Sequence, residues 1–308
     1  MNLALVKEVG IAGVQIWKAI EDINVADIPK RRTEYVVADY IFTSLYQAAQ
    51  GIERLLKVII ELIMYDNAAV AEKQQVSNLL YGHNHPAMFD FISEKESVSL
   101  KPNCKRLLNL LSDFYSNVRY SRYIFNENNL LELELLQNFG RDIKEDDFSE
   151  QLKHLYGKSL GQTVQALYEL IEVLSVKLNI YVYELNADSV AYVALTGCCG
   201  VDLYEALKRT EQSKKELIWY LMKNGSELPA AKITDELLSL SFDQDCVPDY
   251  LKSLIKNENA CSDLCDFVSS SYDELAKQDK AKWKERVDAI DALVGNPNVI
   301  LDWDEDRE

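Results

Sequence analysis

Two histidines stand in one short turn of this sequence, where they could act together as acid and base. The turn, Y-G-H-N-H-P from Tyr81 to Pro86, holds His83 and His85, two of the three histidines in the chain. An imidazole with a pKa near 6.5 exchanges protons at neutral pH, and we expect the two rings to be exposed together. The alternative is structural: His83 caps a helix end and His85 fills the turn before Pro86.

Two arginines at the end of a predicted helix could hold a phosphate. Arg119 and Arg122 lie three residues apart in S-N-V-R-Y-S-R-Y, so they share one helical face. Two guanidinium groups on one face can bind a phosphate through paired hydrogen bonds. The alternative is that each arginine forms a salt bridge with a nearby carboxylate.

The sequence lacks the motifs of the common cofactor enzymes, proteases and hydrolases. No P-loop, dinucleotide-binding glycine motif, H-E-x-x-H or G-x-S-x-G occurs. Acidic pairs such as Glu169 and Glu172 could bind metal, but a di-iron bundle also needs Glu-x-x-His pairs, which this sequence lacks. Cys198 and Cys199 could form a redox site, although a packed turn of small residues is the favoured interpretation. We therefore expect neither a metal nor a cofactor.

Helical periodicity predicts the elements that position the histidines and arginines. Gly51 is the weak point of a long second helix, Gly82 suits a helix end, Pro86 suits a helix start, and Asn103 suits a cap. The predicted helices cover residues 3–21, 32–64, 68–80, 86–95 and 104–125, with a break at Asp27–Pro29 and a loop over residues 96–103.

The second part of the chain also has helical periodicity. N-E-N-N, at residues 126–129, marks a boundary, and residues 140–147 form a charged loop. A long helix is predicted over residues 148–185, with an end of β-like composition that leaves the helix. Other helices are predicted over residues 130–136, 187–195 and 201–224, after Pro229, after Pro248, and over residues 263–276 and 280–293, before an acidic tail.

Composition favours an all-α protein with an uneven charge. Glycine (11) and proline (6) are rare among the 308 residues, and chains rich in β-turns need both. Residues 1–126 contain fourteen basic and fourteen acidic side chains, so the whole net charge of −17 belongs to the remaining residues. An acidic surface repels nucleic acid and anionic membranes, so any nucleic-acid contact must lie in the first part.

Location is predicted from what the sequence lacks. The start of the chain has no signal-peptide pattern, and the longest apolar run, residues 58–65, is too short to cross a membrane. The six cysteines form no recognisable pattern, so we expect reduced thiols. Together these observations predict a soluble, cytoplasmic protein.

The order of these pieces resembles the HEPN superfamily, small helical bundles of bacterial and archaeal defence and toxin systems that also occur in eukaryotes. The resemblance covers residues 33–125: the long I-E-R-L-L-K-V-I-I-E-L helix, the G-H-N-H-P-A-M-F turn, and the helix that ends in R-Y-S-R-Y. Many members are metal-independent ribonucleases with an R-x(4–6)-H motif. Its arginine would stabilise the phosphorane, and its histidine would move the 2′-hydroxyl proton.

The sequence departs from that motif, because no histidine lies four to six residues after either arginine. Those positions hold Tyr123, Ile124 and Phe125 after Arg119, and Asn126, Glu127 and Asn128 after Arg122. The motif also allows a histidine seven residues on, where Asn126 and Asn129 stand. Either His83 or His85 substitutes for the missing histidine, or the protein is non-catalytic. The nucleotidyltransferase-associated branch of the superfamily resembles the sequence better, since its bundles often carry a histidine turn and end in an R-Y pair. Such members bind partners, nucleotides or themselves.

These observations together predict an all-α protein with a HEPN-like antiparallel bundle over residues 1–126 and an acidic helical region over residues 127–308. The long helix 148–185 would complete the bundle. The resemblance implies a homodimer whose histidine turn and arginines face a shared cleft, with RNA or a nucleotide as the ligand of the N-terminal bundle.

Three functions follow from this prediction. The favoured one is a non-catalytic binding or regulatory component of a defence or toxin–antitoxin-type system, with Arg119, Arg122 and Tyr123 at the ligand. The second is a ribonuclease in which Arg119 and Arg122 bind phosphate and His83 or His85 transfers protons. The third is an adaptor whose acidic half binds a basic protein partner.

Overall fold

The computed structural model describes residues 3–30, 38–66, 70–120, 130–144, 146–181, 185–187, 189–224, 239–256, 263–278 and 280–291. Twelve α-helices and one π-helix, and no strands, occur within these ranges, which confirms the all-α prediction. The α-helices are α1 Leu3–Val25, α2 Asp39–Asp66, α3 Val70–Tyr81, α4 His85–Glu96, α5 Pro102–Asp113, α6 Leu131–Phe139, α7 Phe148–Leu178, α8 Val190–Thr196, α9 Leu203–Asn224, α10 Val247–Lys256, α11 Asp263–Gln278 and α12 Lys280–Ile290.

The chain divides into two compact units, Met1–Leu207 and Lys208–Glu308. The change in charge at residue 126 falls inside the first unit, which also contains α6 and α7. None of the helices in the described ranges is long and apolar enough to cross a membrane.

Helix α2 is the centre of the first unit because its side chains are apolar on most sides. It packs along α1 and also contacts α4, α5 and α7. A β-carbon on Gly51 would lie 2.7 Å from Ile16 Cγ1 and 3.0 Å from the carbonyl oxygen of Ala12. Glycine therefore lets the two helices approach closely, and α2 continues through this position.

The apolar spacing predicted for α1 and α5 is confirmed. Of the five α1 residues predicted to share one side, Val9, Ala12, Ile16 and Ile20 are fully buried, whereas Leu5 is only half-buried. The residues predicted to form the inner side of the arginine-bearing segment are also buried, with at most 7% of their surface exposed: Leu107, Leu108, Leu111, Phe114, Tyr115 and Val118.

Several predicted helix boundaries are wrong. Helix α2 begins at Asp39, and Ala38 is not helical, so a helix from Arg32 to Met64 does not form. Helix α5 begins at Pro102, whose fixed φ suits the first turn, so Asn103 lies inside the helix and does not cap it.

Helix α7 ends at Leu178, before the segment of β-like composition. Asn179 has a left-handed backbone (φ 55°), and the Ile180 N–H donates to the Ser175 carbonyl. This is a common way to end a helix, and it confirms that the following segment leaves the helix. The predicted boundary at residues 126–129, the helix after Pro229 and the acidic tail lie outside the described residues.

The second unit has its own apolar core. Its buried residues lie on the later part of α9, on α10 and α11, and on the stretch before α10: Leu217, Phe242, Tyr250, Leu264 and Val268. The predicted helices after Pro248 and over residues 263–276 and 280–293 correspond to α10, α11 and α12.

Candidate functional site

The histidine turn places its two imidazoles in opposite environments. Helix α3 ends at Tyr81, and α4 begins at His85, with Asn84 as its cap: the Asn84 side-chain oxygen accepts a hydrogen bond from the Ala87 N–H at 3.0 Å. Pro86 lies in the first turn of α4, as predicted. This geometry leaves His83 outside the bundle and turns His85 inward.

His83 is exposed and is held by a buried carboxylate. Its side chain is 46% exposed, and Nδ1 lies 2.9 Å from Oε2 of Glu53 on α2. The other Glu53 oxygen accepts a hydrogen bond from Lys57 Nζ at 2.7 Å. Burial alone would raise the pKa of Glu53, but the hydrogen bonds from Lys57 and His83 outweigh it and hold that pKa below its usual value. Glu53 is therefore ionised at neutral pH and orients the imidazole.

His85 is fully buried, so the prediction that both histidines are exposed together is wrong. Its Nε2 lies 3.0 Å from the carbonyl oxygen of Ala49, and its Nδ1 is buried without a hydrogen-bond partner. A carbonyl only accepts, so Nε2 carries the proton and the ring is the neutral tautomer. Burial also lowers the pKa of His85, although the Ala49 carbonyl partly opposes this. His85 therefore resembles the structural alternative, a residue that fills the turn.

Because the pKa of His85 is lowered by burial, we expect stability to depend on pH. Above a pH of about 6.5 the ring is neutral in both states; below it, the unfolded chain takes up a proton that the folded chain excludes. This group should remove about 1 kcal/mol of unfolding free energy between pH 7.5 and about 5.5. Urea denaturation across that range should show that the unfolding free energy of His85→Gln depends less on pH than that of the wild type. An equal pH dependence in the variant and the wild type would contradict this assignment.

Arg119 lies just past a π-helix that covers residues 114–118. This wider turn closes through a hydrogen bond from the Arg119 N–H to the Phe114 carbonyl at 2.9 Å. Isolated π-helical turns are rare and occur frequently at functional sites. This one interrupts the predicted helix and turns Tyr115 and Arg119 towards α2.

The guanidinium of Arg119 is surrounded by tyrosine rings. It lies 4.4 Å from the centre of the Tyr115 ring, 4.6 Å from that of Tyr120 and 5.5 Å from that of Tyr46. Such contacts are attractive, because the face of an aromatic ring is electron-rich. No carboxylate among the described residues lies within ion-pair distance of Arg119, so the tyrosine rings are its neighbours in this part of the chain. Arg122 and Tyr123 lie outside the described residues.

Tyr115 connects the two predicted groups. Its ring lies 4.4 Å, centre to centre, from the His83 imidazole, and 4.4 Å from the Arg119 guanidinium. The imidazole and the guanidinium therefore lie within twice that distance of each other. The Tyr115 hydroxyl accepts a hydrogen bond from Gln50 Nε2 at 2.7 Å, and burial raises its pKa. The hydroxyl therefore keeps its proton at neutral pH and does not act as a base.

Sequence reasoning missed the residues that hold His83 and Arg119 in place. Glu53 and Lys57 are spaced as an i,i+4 ion pair, which is a readable signal on α2. Helical periodicity predicted that Tyr115 is buried, but its contact with Tyr46 has no sequence signal, because the two rings meet only when α2 packs beside the π-helix.

The third histidine belongs to a separate cluster in the first unit. His154 Nδ1 lies 2.9 Å from Asp202 Oδ2, and the other Asp202 oxygen accepts a hydrogen bond from the Tyr204 N–H at 3.0 Å at the start of α9. This contact therefore ties α7 to the beginning of α9. The prediction of reduced thiols holds for Cys104, Cys199, Cys246 and Cys265 but not for Cys198, which is disulfide-bonded.

Comparison with known proteins gives no relative: no family model, no curated protein and no solved structure matches this chain. The resemblance to HEPN bundles rests on the sequence pattern alone. The function must therefore be inferred from the geometry around His83 and Arg119.

Proposed function

We propose that this protein is a binding component, without catalytic activity, that holds a nucleotide or single-stranded RNA by its phosphate at Arg119. The observation that carries this proposal is the position of the Arg119 guanidinium, which lies among three tyrosine rings and has no carboxylate partner in the described part of the chain. A guanidinium that is held in place by rings, and that no described carboxylate neutralises, is suited to bind an anion.

The tyrosine rings favour a phosphate that carries a base. A guanidinium that stacks on rings keeps the N–H groups at its edge, and two of them can contact two phosphate oxygens. Tyr120 is 60% exposed, and an exposed tyrosine can stack with a base. These contacts require an unpaired base, so duplex RNA is disfavoured.

The titratable side chains of the histidine turn and of Tyr115 favour binding over catalysis. His85 is buried and neutral, Tyr115 has a raised pKa, and His83 is hydrogen-bonded to Glu53. Of the three, only His83 presents an exposed ring to a ligand. Ribonucleases that work without metal need both a base for the 2′-hydroxyl and an acid for the leaving oxygen.

The biological setting in this proposal comes from the HEPN resemblance. We place the protein as a regulatory component of a prokaryotic defence or toxin–antitoxin-type system, acting as a homodimer in the cytoplasm. The neutral charge balance of residues 1–126 is compatible with an RNA contact there, whereas the acidic remainder would repel it.

The test is the binding of a fluorescein-labelled single-stranded RNA, measured by fluorescence anisotropy. Arg119→Ala should weaken RNA binding about tenfold, because a charge-assisted phosphate contact is lost. The slope of log affinity against log salt concentration should also become shallower by about one. Adenosine monophosphate should compete, whereas adenosine, which lacks the phosphate, should not. Competition by the monophosphate alone identifies a nucleotide site, and a requirement for the longer strand identifies an RNA site.

Arg141→Ala is the matched control. Arg141 belongs to the same unit, and its side chain is 73% exposed beside Asp142. The variant removes the same charge from a site without tyrosines, so RNA binding should stay within about twofold of the wild type. Equal losses in both variants, or no loss in Arg119→Ala, would contradict the proposal.

The second candidate is a ribonuclease with a rearranged site, and the observation that favours it is the exposed, carboxylate-bound His83 beside Arg119. The wild type, His83→Ala and Arg119→Ala would be incubated with mixed RNA in EDTA. Cleavage by the wild type that is lost in both variants would replace the binding proposal with this one. RNA that stays intact with the wild type would rule the ribonuclease out.

A further inference from the structure

A cleft lies between α1, α2 and α3 in the first unit. Its volume is about 450 Å³, within the range of about 300–1,000 Å³ typical of small-molecule sites. It borders the histidine site, since Gln50, Glu53 and Lys57 belong to both.

Both cations of this cleft are already engaged. Lys57 Nζ lies 2.7 Å from Glu53 Oε1, and Arg54 forms an ion pair with Glu8. Arg54 Nε also donates to the side-chain oxygen of Gln15 at 3.1 Å. An anion that entered the cleft would therefore have to break one of these pairs before it gained a partner.

One carboxylate of the cleft is not engaged. Glu61 is exposed, and no cation among the described side chains lies within ion-pair distance of it. Among the described residues that line the cleft, three side chains are carboxylates and two are cations, so the excess charge that they carry is the negative one of Glu61. Leu5, Val58 and Leu80 supply an apolar wall in the same cleft.

We propose that this cleft binds a small organic ammonium ion whose apolar body packs against Leu5, Val58 and Leu80 and whose charge pairs with Glu61. The apolar wall supplies hydrophobic burial, and the excess carboxylate selects the sign of the charge. The phosphate ligand of Arg119 is excluded from the cleft by the same charge, so the two sites take different ligands.

The test is a titration followed by ¹H–¹⁵N NMR with three probes of similar size: 2-phenylethylamine, 2-phenylethanol and 3-phenylpropanoate. The protonated amine should bind at least about fivefold more tightly than the neutral alcohol, and the carboxylate should bind most weakly. Perturbed amides should lie on α1, α2 and α3. Glu61→Gln should reduce the affinity for the amine to that for the alcohol.

Two further variants complete the test. Glu94→Gln removes one exposed carboxylate on α4, outside the cleft, and should leave the preference for the amine unchanged. Leu80→Trp should fill the cleft and weaken the binding of all three probes. Equal binding of amine and alcohol to the wild type, or an unchanged preference in Glu61→Gln, would overturn the proposal. Arg119→Ala should not affect amine binding, so this result is independent of the RNA test.

Discussion

Replacing Arg286 by methionine is expected to lower the unfolding free energy of the second unit by about 3–5 kcal/mol, because it leaves a buried charge without its partner. Arg286 on α12 donates two hydrogen bonds to Glu216 on α9, from Nε at 3.0 Å and from Nη2 at 2.7 Å. Glu216 is completely buried and Arg286 is only 11% exposed. Tyr272 on α11 also donates to Glu216, so three helices meet at this carboxylate.

Hydrogen exchange measured by mass spectrometry would give the free energy of opening for peptides of α11 and α12, which belong to this unit. The matched control is the double variant Arg286→Met with Glu216→Leu, which removes both charges. Because apolar replacement of a whole buried pair is often neutral, the double variant should recover most of the lost protection. A double variant as unstable as the single one would show that the packing of Arg286, and not its charge, is what matters.

The helices could be predicted from the sequence because their cause is local. Val9, Ala12, Ile16 and Ile20 recur at the spacing of one helical face, and all four are buried. Pro86 and Asn84 likewise fix the start of α4 within a few residues. Errors arose at the ends, where a single residue decides: α5 begins at Pro102, so Asn103 lies inside the helix and does not cap it.

The candidate site could be predicted only in part, because its contacts join distant segments. The turn itself says where the two histidines lie, but Ala49, which accepts the hydrogen bond from His85, is 36 residues away. The direction in which each ring points depends on how α4 packs against α2. The same holds for Arg119, whose tyrosine partner Tyr46 lies on another helix and whose orientation depends on a π-helical turn.

Glu53 makes the two sites of the first unit neighbours. One of its oxygens holds His83, the other holds Lys57, and its side chain lines the cleft beside Glu61. A change at Glu53 would therefore affect both the histidine site and the cleft, which is why the proposed tests use Arg119 and Glu61, each of which belongs to one site only.

Replacing Gly161 by alanine is expected to destabilise the first unit by about 3 kcal/mol, since the new β-carbon would lie 2.0 Å from the carbonyl oxygen of Val201. That oxygen belongs to the backbone, so no side-chain rotation relieves the clash. One turn earlier, a β-carbon on Gly157 would lie 2.7 Å from Asp202 Oδ1. The two glycines give α7 a flat surface on which the segment from Val201 to Tyr204 rests, and this segment includes the partner of His154.

Gly10→Ala is the matched control, because Gly10 lies in the interior of α1 and a β-carbon there would meet nothing within 4 Å. In a helix interior alanine is favoured over glycine, so this variant should stabilise the protein by about 0.5–1 kcal/mol. Thermal denaturation followed by circular dichroism would compare both variants with the wild type. The melting temperature should fall in Gly161→Ala and rise in Gly10→Ala, because the added methyl group meets backbone at the first site and open space at the second. A Gly161→Ala variant as stable as the wild type would mean that α7 and the segment at Val201 can separate without loss, and that this close contact does not fix the start of α9.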